Sequence, residues 1–136
     1  MHNECEGRLR VLVAEDHDDV REGIVKLLDP VFEIVAVVST GRELVDAAMA
    51  LEPDVIVSDL MMPALTGAEA LAMLRAAGHT IAFVLQTAAG QNAQIWLDLG
   101  ALCVVDKLDL ACDLVTAVRS AAAGKVFLSR NITRAR

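Results

Sequence analysis

The sequence predicts a doubly wound α/β fold: a five-stranded parallel sheet in the order 2-1-3-4-5, with five helices covering its two faces. Three observations carry this. Short apolar runs alternate with longer segments of helical periodicity, and the alternation repeats five times. The runs are almost continuously apolar, as strands covered on both faces of a parallel sheet should be. Right-handed crossovers then leave few strand orders for a chain of 136 residues, and 2-1-3-4-5 is a common one.

The elements follow in order. "LRVLVAE" (9–15) reads as the first strand. "DVREGIVKLLD" (19–29) places Val20, Ile24, Leu27 and Leu28 on one helical face, and Pro30 ends it. "FEIVAVVS" (32–39) is the second strand. "TGRE" (40–43) forms a capping box, with Leu44, Ala47, Ala48 and Leu51 at helical spacing behind it and Pro53 as the stop. Residues 55–58 form the third strand. A second capping box, "TGAE" (66–69), opens a helix with Leu71 and Leu74 inward and Gly78 as its C-terminal cap. Residues 80–86 are the fourth strand, 89–99 the fourth helix, 101–106 the fifth strand and 109–124 the fifth helix, with Leu110, Leu114, Val118 and Ala121 on one side. Residues 1–8 read as a flexible terminus, and 125–136 as a tail or the start of a linker outside the alternation.

Hydrophobic residues make up 55% of the chain, enough for one core, and no apolar run is long enough to span a bilayer. The N-terminus lacks the basic-then-apolar pattern of a signal peptide, so a soluble cytoplasmic protein is expected. A net charge of −7 disfavours nucleic-acid binding by this chain itself. The odd cysteine count (Cys5, Cys103, Cys112) without a CxxC pair indicates neither a disulfide framework nor a zinc site. Cys103 and Cys112 are expected as small core residues, and His2 with Cys5 as part of a frayed terminus.

In this fold ligands bind beyond the carboxyl ends of the strands, where the winding reverses between the first and third strands. The first strand ends in Glu15-Asp16 and the third in Asp59. Neighbouring strands lie about 4.8 Å apart, so three carboxylates converge and repel one another unless a cation intervenes. Mg²⁺ suits them, being small, hard and oxygen-loving. The fourth strand adds Thr87 and the fifth Asp106-Lys107. A carboxylate nucleophile, a divalent cation, a hydroxyl and an ammonium together suit phosphoryl transfer. Each residue alone has a plainer explanation: a turn-forming Asp, an acidic helix start in "EDHDD", a capping Thr, a surface Lys, and a loop position for His17. Their joint placement at the ends of core strands is what those explanations leave out. A dinucleotide site is disfavoured because no GxGxxG follows the first strand.

The acid pair Glu15-Asp16, "SDLMMPALTG" around Asp59, Thr87 followed by two alanines, and "GALCVVDK" ending at Lys107 together resemble the receiver domain of two-component response regulators, over residues 9–124. The resemblance implies a flavodoxin-like fold and Asp59 as phosphoacceptor. It implies Mg²⁺ held by Asp16, Asp59 and the backbone carbonyl of Met61, with Glu15 holding a metal-bound water. Lys107 would pair with the phosphoryl group and Thr87 would turn its hydroxyl onto it. A sensor histidine kinase is the implied partner, with homodimerisation on phosphorylation. "EDHDDVREGIVKLL" and "AAAGKVFLS" further resemble the subfamily with a LuxR-type helix-turn-helix domain, through which alone DNA would be bound and transcription regulated.

Two departures stand out. The family has Tyr or Phe three residues before the lysine; here it is Val104. The lysine is commonly followed by a cis proline; here Leu108 follows, and a cis bond before a non-proline costs about 2.5–4 kcal/mol, so a trans peptide is expected. Two other functions remain in view: a degenerate receiver acting as a phosphorylation-independent interaction module, and a haloacid-dehalogenase-type phosphatase. The latter wants a second Asp two residues after the nucleophile, where this chain has Met61.

Overall fold

The computed structural model describes residues 7–88 and 92–132. The elements run β1 Arg10–Ala14, α1 Asp18–Leu28, β2 Glu33–Val38, α2 Gly41–Leu51, β3 Val55–Asp59, α3 Gly67–Ala76, β4 Ala82–Thr87, α4 Gln94–Leu99, β5 Cys103–Asp106, a 3₁₀ turn Lys107–Asp109, α5 Leu110–Ala122 and β6 Phe127–Leu128. All strand pairs are parallel. The expected doubly wound order holds for the first five strands, but the sheet has six, in the order β2-β1-β3-β4-β5-β6.

Strand β6 corrects the five-stranded expectation. Two residues offer no periodicity to read, so only their partners reveal them: Cys103 pairs with Phe127 and Val104 with Leu128. The following residues are tied down by polar contacts. Ser129 Oγ donates to Asp109 Oδ2 at 2.7 Å and accepts from the Asp106 amide at 2.9 Å, and Asn131 donates twice to Asp109. Desolvation raises the Asp109 carboxyl, but the bonds from Ser129 and Asn131, with Arg130 nearby, outweigh it and hold the group below its usual range.

Two cores flank the sheet. On one face, Val11, Val13, Val57, Val84 and Val105 pack against Ile24 and Leu28 of α1 and Leu114, Val118 and Ala121 of α5. On the other, Leu12, Ile56, Phe83 and Leu85 pack against Leu44 and Ala48 of α2 and Leu71 and Leu74 of α3, with Trp96 of α4 alongside. The anticipated helical faces are the buried ones. The Thr66–Glu69 capping box is complete; at Thr40 the hydroxyl caps Glu43, but the Glu43 carboxylate reaches the Ser39 amide instead.

Two further expectations are corrected. Helix α4 begins at Gln94, because Asn92 has a φ of +60° that no α-helix accommodates; residues 89–91 lie outside the described residues. Cys112 is exposed on α5, two residues off the stripe that buries Leu114, whereas Cys103 is a core residue whose thiol burial pushes up to about 11. His2 and Cys5 lie outside the described residues. The Lys107-Leu108 peptide is trans, as are all described bonds. No helix among the described residues is long and apolar enough to cross a membrane.

Two glycines make opposite predictions. A Cβ at Gly67 would collide with the backbone carbonyl of Asp59, whereas one at Gly23, on the exposed side of α1, meets nothing. Gly67→Ala should therefore cost about 1–3 kcal/mol, and Gly23→Ala should add roughly 0.5–1 kcal/mol. Urea unfolding of the two variants checks both signs.

Candidate functional site

The carboxyl ends of β1 and β3 bring the acids together. Glu15 follows β1 and is fully buried; Asp59 closes β3 at 2% exposure. Each of Glu15, Asp16, His17 and Asp59 offers a ligand atom within 4.8 Å of the others. So the three anticipated carboxylates do converge, and His17, read as a bystander, joins them. Its backbone N–H donates to Glu15 Oε2 at 3.1 Å and its Nδ1 lies 3.0 Å from the same oxygen.

Lys107 sits where β5 runs into the 3₁₀ turn. Asp106 caps that turn by accepting from the Leu108 amide, which leaves Leu108 86% exposed and swings the Lys107 stem over the site. Its Nζ lies 3.0 Å from Asp59 Oδ2 and 3.6 Å from Glu15 Oε1. The other Asp59 oxygen, Oδ1, accepts from the Met61 amide at 3.2 Å. The chain therefore folds back over Asp59 within two residues; Met62 is buried beneath this turn and the Met61 side chain faces solvent. Thr87 is buried at the end of β4, in register with Asp106.

Burial pushes the Glu15 carboxyl above its usual range. Bonds from His17 and the charge of Lys107 oppose this, and the charge of Asp59 adds to it. His17 is pushed up in turn, first by its bond to Glu15 and then by the charges of Asp16 and Glu15. Asp16 Oδ1 is buried yet makes no hydrogen bond, although His17 Nδ1 lies 3.3 Å away. A buried carboxylate oxygen that makes no hydrogen bond, beside two other carboxylates, fits a hard divalent cation; with His17 Nδ1 engaged by Glu15, the three carboxylates are the oxygen ligands that suit Mg²⁺.

Gln86 was not anticipated. It donates from Nε2 to Glu15 Oε1 at 2.8 Å, fully buried. Its signal was available: it is the one polar residue within the apolar run 81–86.

The comparisons bear on this arrangement. A family model described as the response regulator receiver domain matches residues 11–119. The nitrate/nitrite response regulator protein homolog of Haemophilus influenzae is 36% identical over 129 residues, covering 92% of this chain and 62% of that protein. The signal receiver domain of NarL from Mycobacterium tuberculosis superposes with a TM-score of 0.82 at 29% identity, covering 87% of this chain and 98% of the other. A LuxR-family two-component response regulator from Aurantimonas sp. SI85-9A1 gives 0.86 at 27% identity, covering 93% of each chain. The chain spans less than two thirds of the length of such curated relatives.

The His17 shift is testable without metal. A raised histidine stabilises the fold fully below the ordinary histidine range, and that contribution is lost as pH rises through the raised value. Glu15→Gln removes the leading cause. It should return the His17 titration, followed by the NMR shift of its ring proton, toward the ordinary value.

Proposed function

Since this chain belongs to the response regulator receiver domain family, we propose that Asp59 is its phosphoacceptor and that phosphorylation there is its signal. The Asp59–Lys107 pair carries the reading: a carboxylate buried at a strand end, with an ammonium 3.0 Å from one oxygen. An Asp59 oxygen attacks the phosphorus of a phosphohistidine on a sensor histidine kinase. The O–P bond forms as the P–N bond breaks, and the electron pair leaves on the kinase imidazole. Lys107 is placed to neutralise charge on the phosphoryl oxygens. Asp16 and Asp59, the Met61 carbonyl and, through water, Glu15 would hold Mg²⁺. When bound, Mg²⁺ supplies further neutralisation of the phosphoryl oxygens.

The response follows from the same residues. Thr87 turns its hydroxyl onto the new phosphoryl group. In the family an inward aromatic fills the space this leaves. Here Val104 lies fully buried in β5 and is too small to do so. The activated state is held chiefly by the Thr87 and Lys107 bonds to phosphate, charge-assisted bonds of roughly 1.5–3 kcal/mol each. The module works in the cytoplasm. Its catalysis is confined to its own phosphorylation and slow autodephosphorylation, and its output is homodimerisation and regulation of transcription. DNA contact belongs to a LuxR-type partner domain rather than to these residues, whose net charge is −7.

Incubation with acetyl phosphate and Mg²⁺ should add one phosphoryl mass to the wild type and none to Asp59→Asn; equal addition to both would refute the assignment. Lys107→Ala should keep Mg²⁺ binding, measured by calorimetry, yet be phosphorylated at least about tenfold more slowly. Trp96, packed on the α3 side of the sheet, should change its fluorescence when beryllofluoride and Mg²⁺ are added.

A further inference from the structure

Lys107 faces two buried carboxylates. It lies 3.0 Å from Asp59 Oδ2 and 3.6 Å from Glu15 Oε1. What decides between them is the occupancy of Glu15 Oε1. Glu15 Oε2 already accepts the His17 amide. Oε1 accepts its hydrogen bond from Gln86 Nε2 at 2.8 Å.

Gln86 is fixed from two directions. It pairs in register with Asp59, so the two side chains leave neighbouring strands on the same face. Its carbonyl accepts the Leu60 amide at 2.9 Å, directly after Asp59. Its side-chain oxygen is buried with no hydrogen bond. Turning the amide over would place that oxygen against the Glu15 carboxylate, so the carboxylate itself dictates the orientation. An amide buried with an unpaired oxygen in an apolar strand is costly compared with a leucine. Among the described residues, the donor it offers Glu15 is the gain the site shows in return.

We propose that Gln86 is a positioning residue: its amide takes one acceptor position on the Glu15 oxygen nearest Lys107 and so biases the lysine ammonium toward Asp59. Without that donor, the desolvated Oε1 takes its hydrogen bond from the nearest alternative, the flexible Lys107 ammonium. The ammonium then leans toward Glu15 and its hold on Asp59 weakens. The consequence for phosphorylation rests on the reading of Asp59 as phosphoacceptor, but the partition of the lysine does not.

The test reads the lysine directly. The chain has three lysines, Lys26, Lys107 and Lys125, so the side-chain signals of ¹³C,¹⁵N-lysine-labelled, metal-free protein are assignable. In the wild-type background, Asp59→Asn should move the Lys107 Cε and Nζ signals more than Glu15→Gln does. In the Gln86→Met background the ranking should reverse. Gln86→Met should also slow phosphorylation by acetyl phosphate about tenfold, and should cause no further slowing when added to Glu15→Gln. Should Gln86→Met fail to fold, Gln86→Asn, whose amide is one methylene too short to reach Glu15, carries the same measurements. An unchanged ranking, or equal slowing in the wild-type and Glu15→Gln backgrounds, overturns the proposal. A wild type that takes no phosphoryl group refutes the acceptor reading, while the lysine ranking still decides the role of Gln86.

Discussion

The structure depends on holding several carboxylates, two of them almost wholly buried, at one edge of an apolar sheet. Burying ionised acids beside one another is costly unless each oxygen finds a donor or a cation. Here Lys107, His17, Gln86 and the Met61 amide meet that need for Glu15 and Asp59, and one oxygen of Asp16 is left over. Each donor comes from a different segment. The site therefore exists only when β1, β3, β4 and β5 are assembled in their parallel order.

That dependence explains details of the fold. The polar edge lies where strands end and loops begin, so the two cores below it can stay apolar. Gly67 has no side chain because α3 starts against the Asp59 carbonyl. The 3₁₀ turn after β5, capped by Asp106, carries Lys107 back across the strand ends. Ser129 accepts from the Asp106 amide and donates to Asp109, so the segment after β6 is bolted to both sides of the lysine-bearing turn.

Much of this could be read from residues alone. Periodicity and capping signals located the five core strands and the buried helical faces, and the strand-end acids, Thr87 and Lys107 stood out by position. Strand β6 could not be read, because two residues carry no period and its existence depends on pairing with Cys103 and Val104. Cys112 was misplaced because a cysteine alone does not say which side of a helix it occupies. Gln86 and His17 were missed as site residues for a different reason. Both bond Glu15 through their side chains: Gln86 stands out locally as the one polar residue of the run 81–86, but nothing nearby names a partner 71 positions away, and His17 reads equally well as a loop residue.

On the reading proposed here Asp59, among the clustered acids, is the residue that takes the phosphoryl group. Borohydride reduction tells the acids apart, since it converts an aspartyl phosphate to homoserine and peptide mapping then locates the altered residue. After treatment with acetyl phosphate and Mg²⁺, homoserine should appear at position 59 and nowhere else. Homoserine at position 16, or none in protein that has gained the phosphoryl mass, would rule out Asp59 as the acceptor.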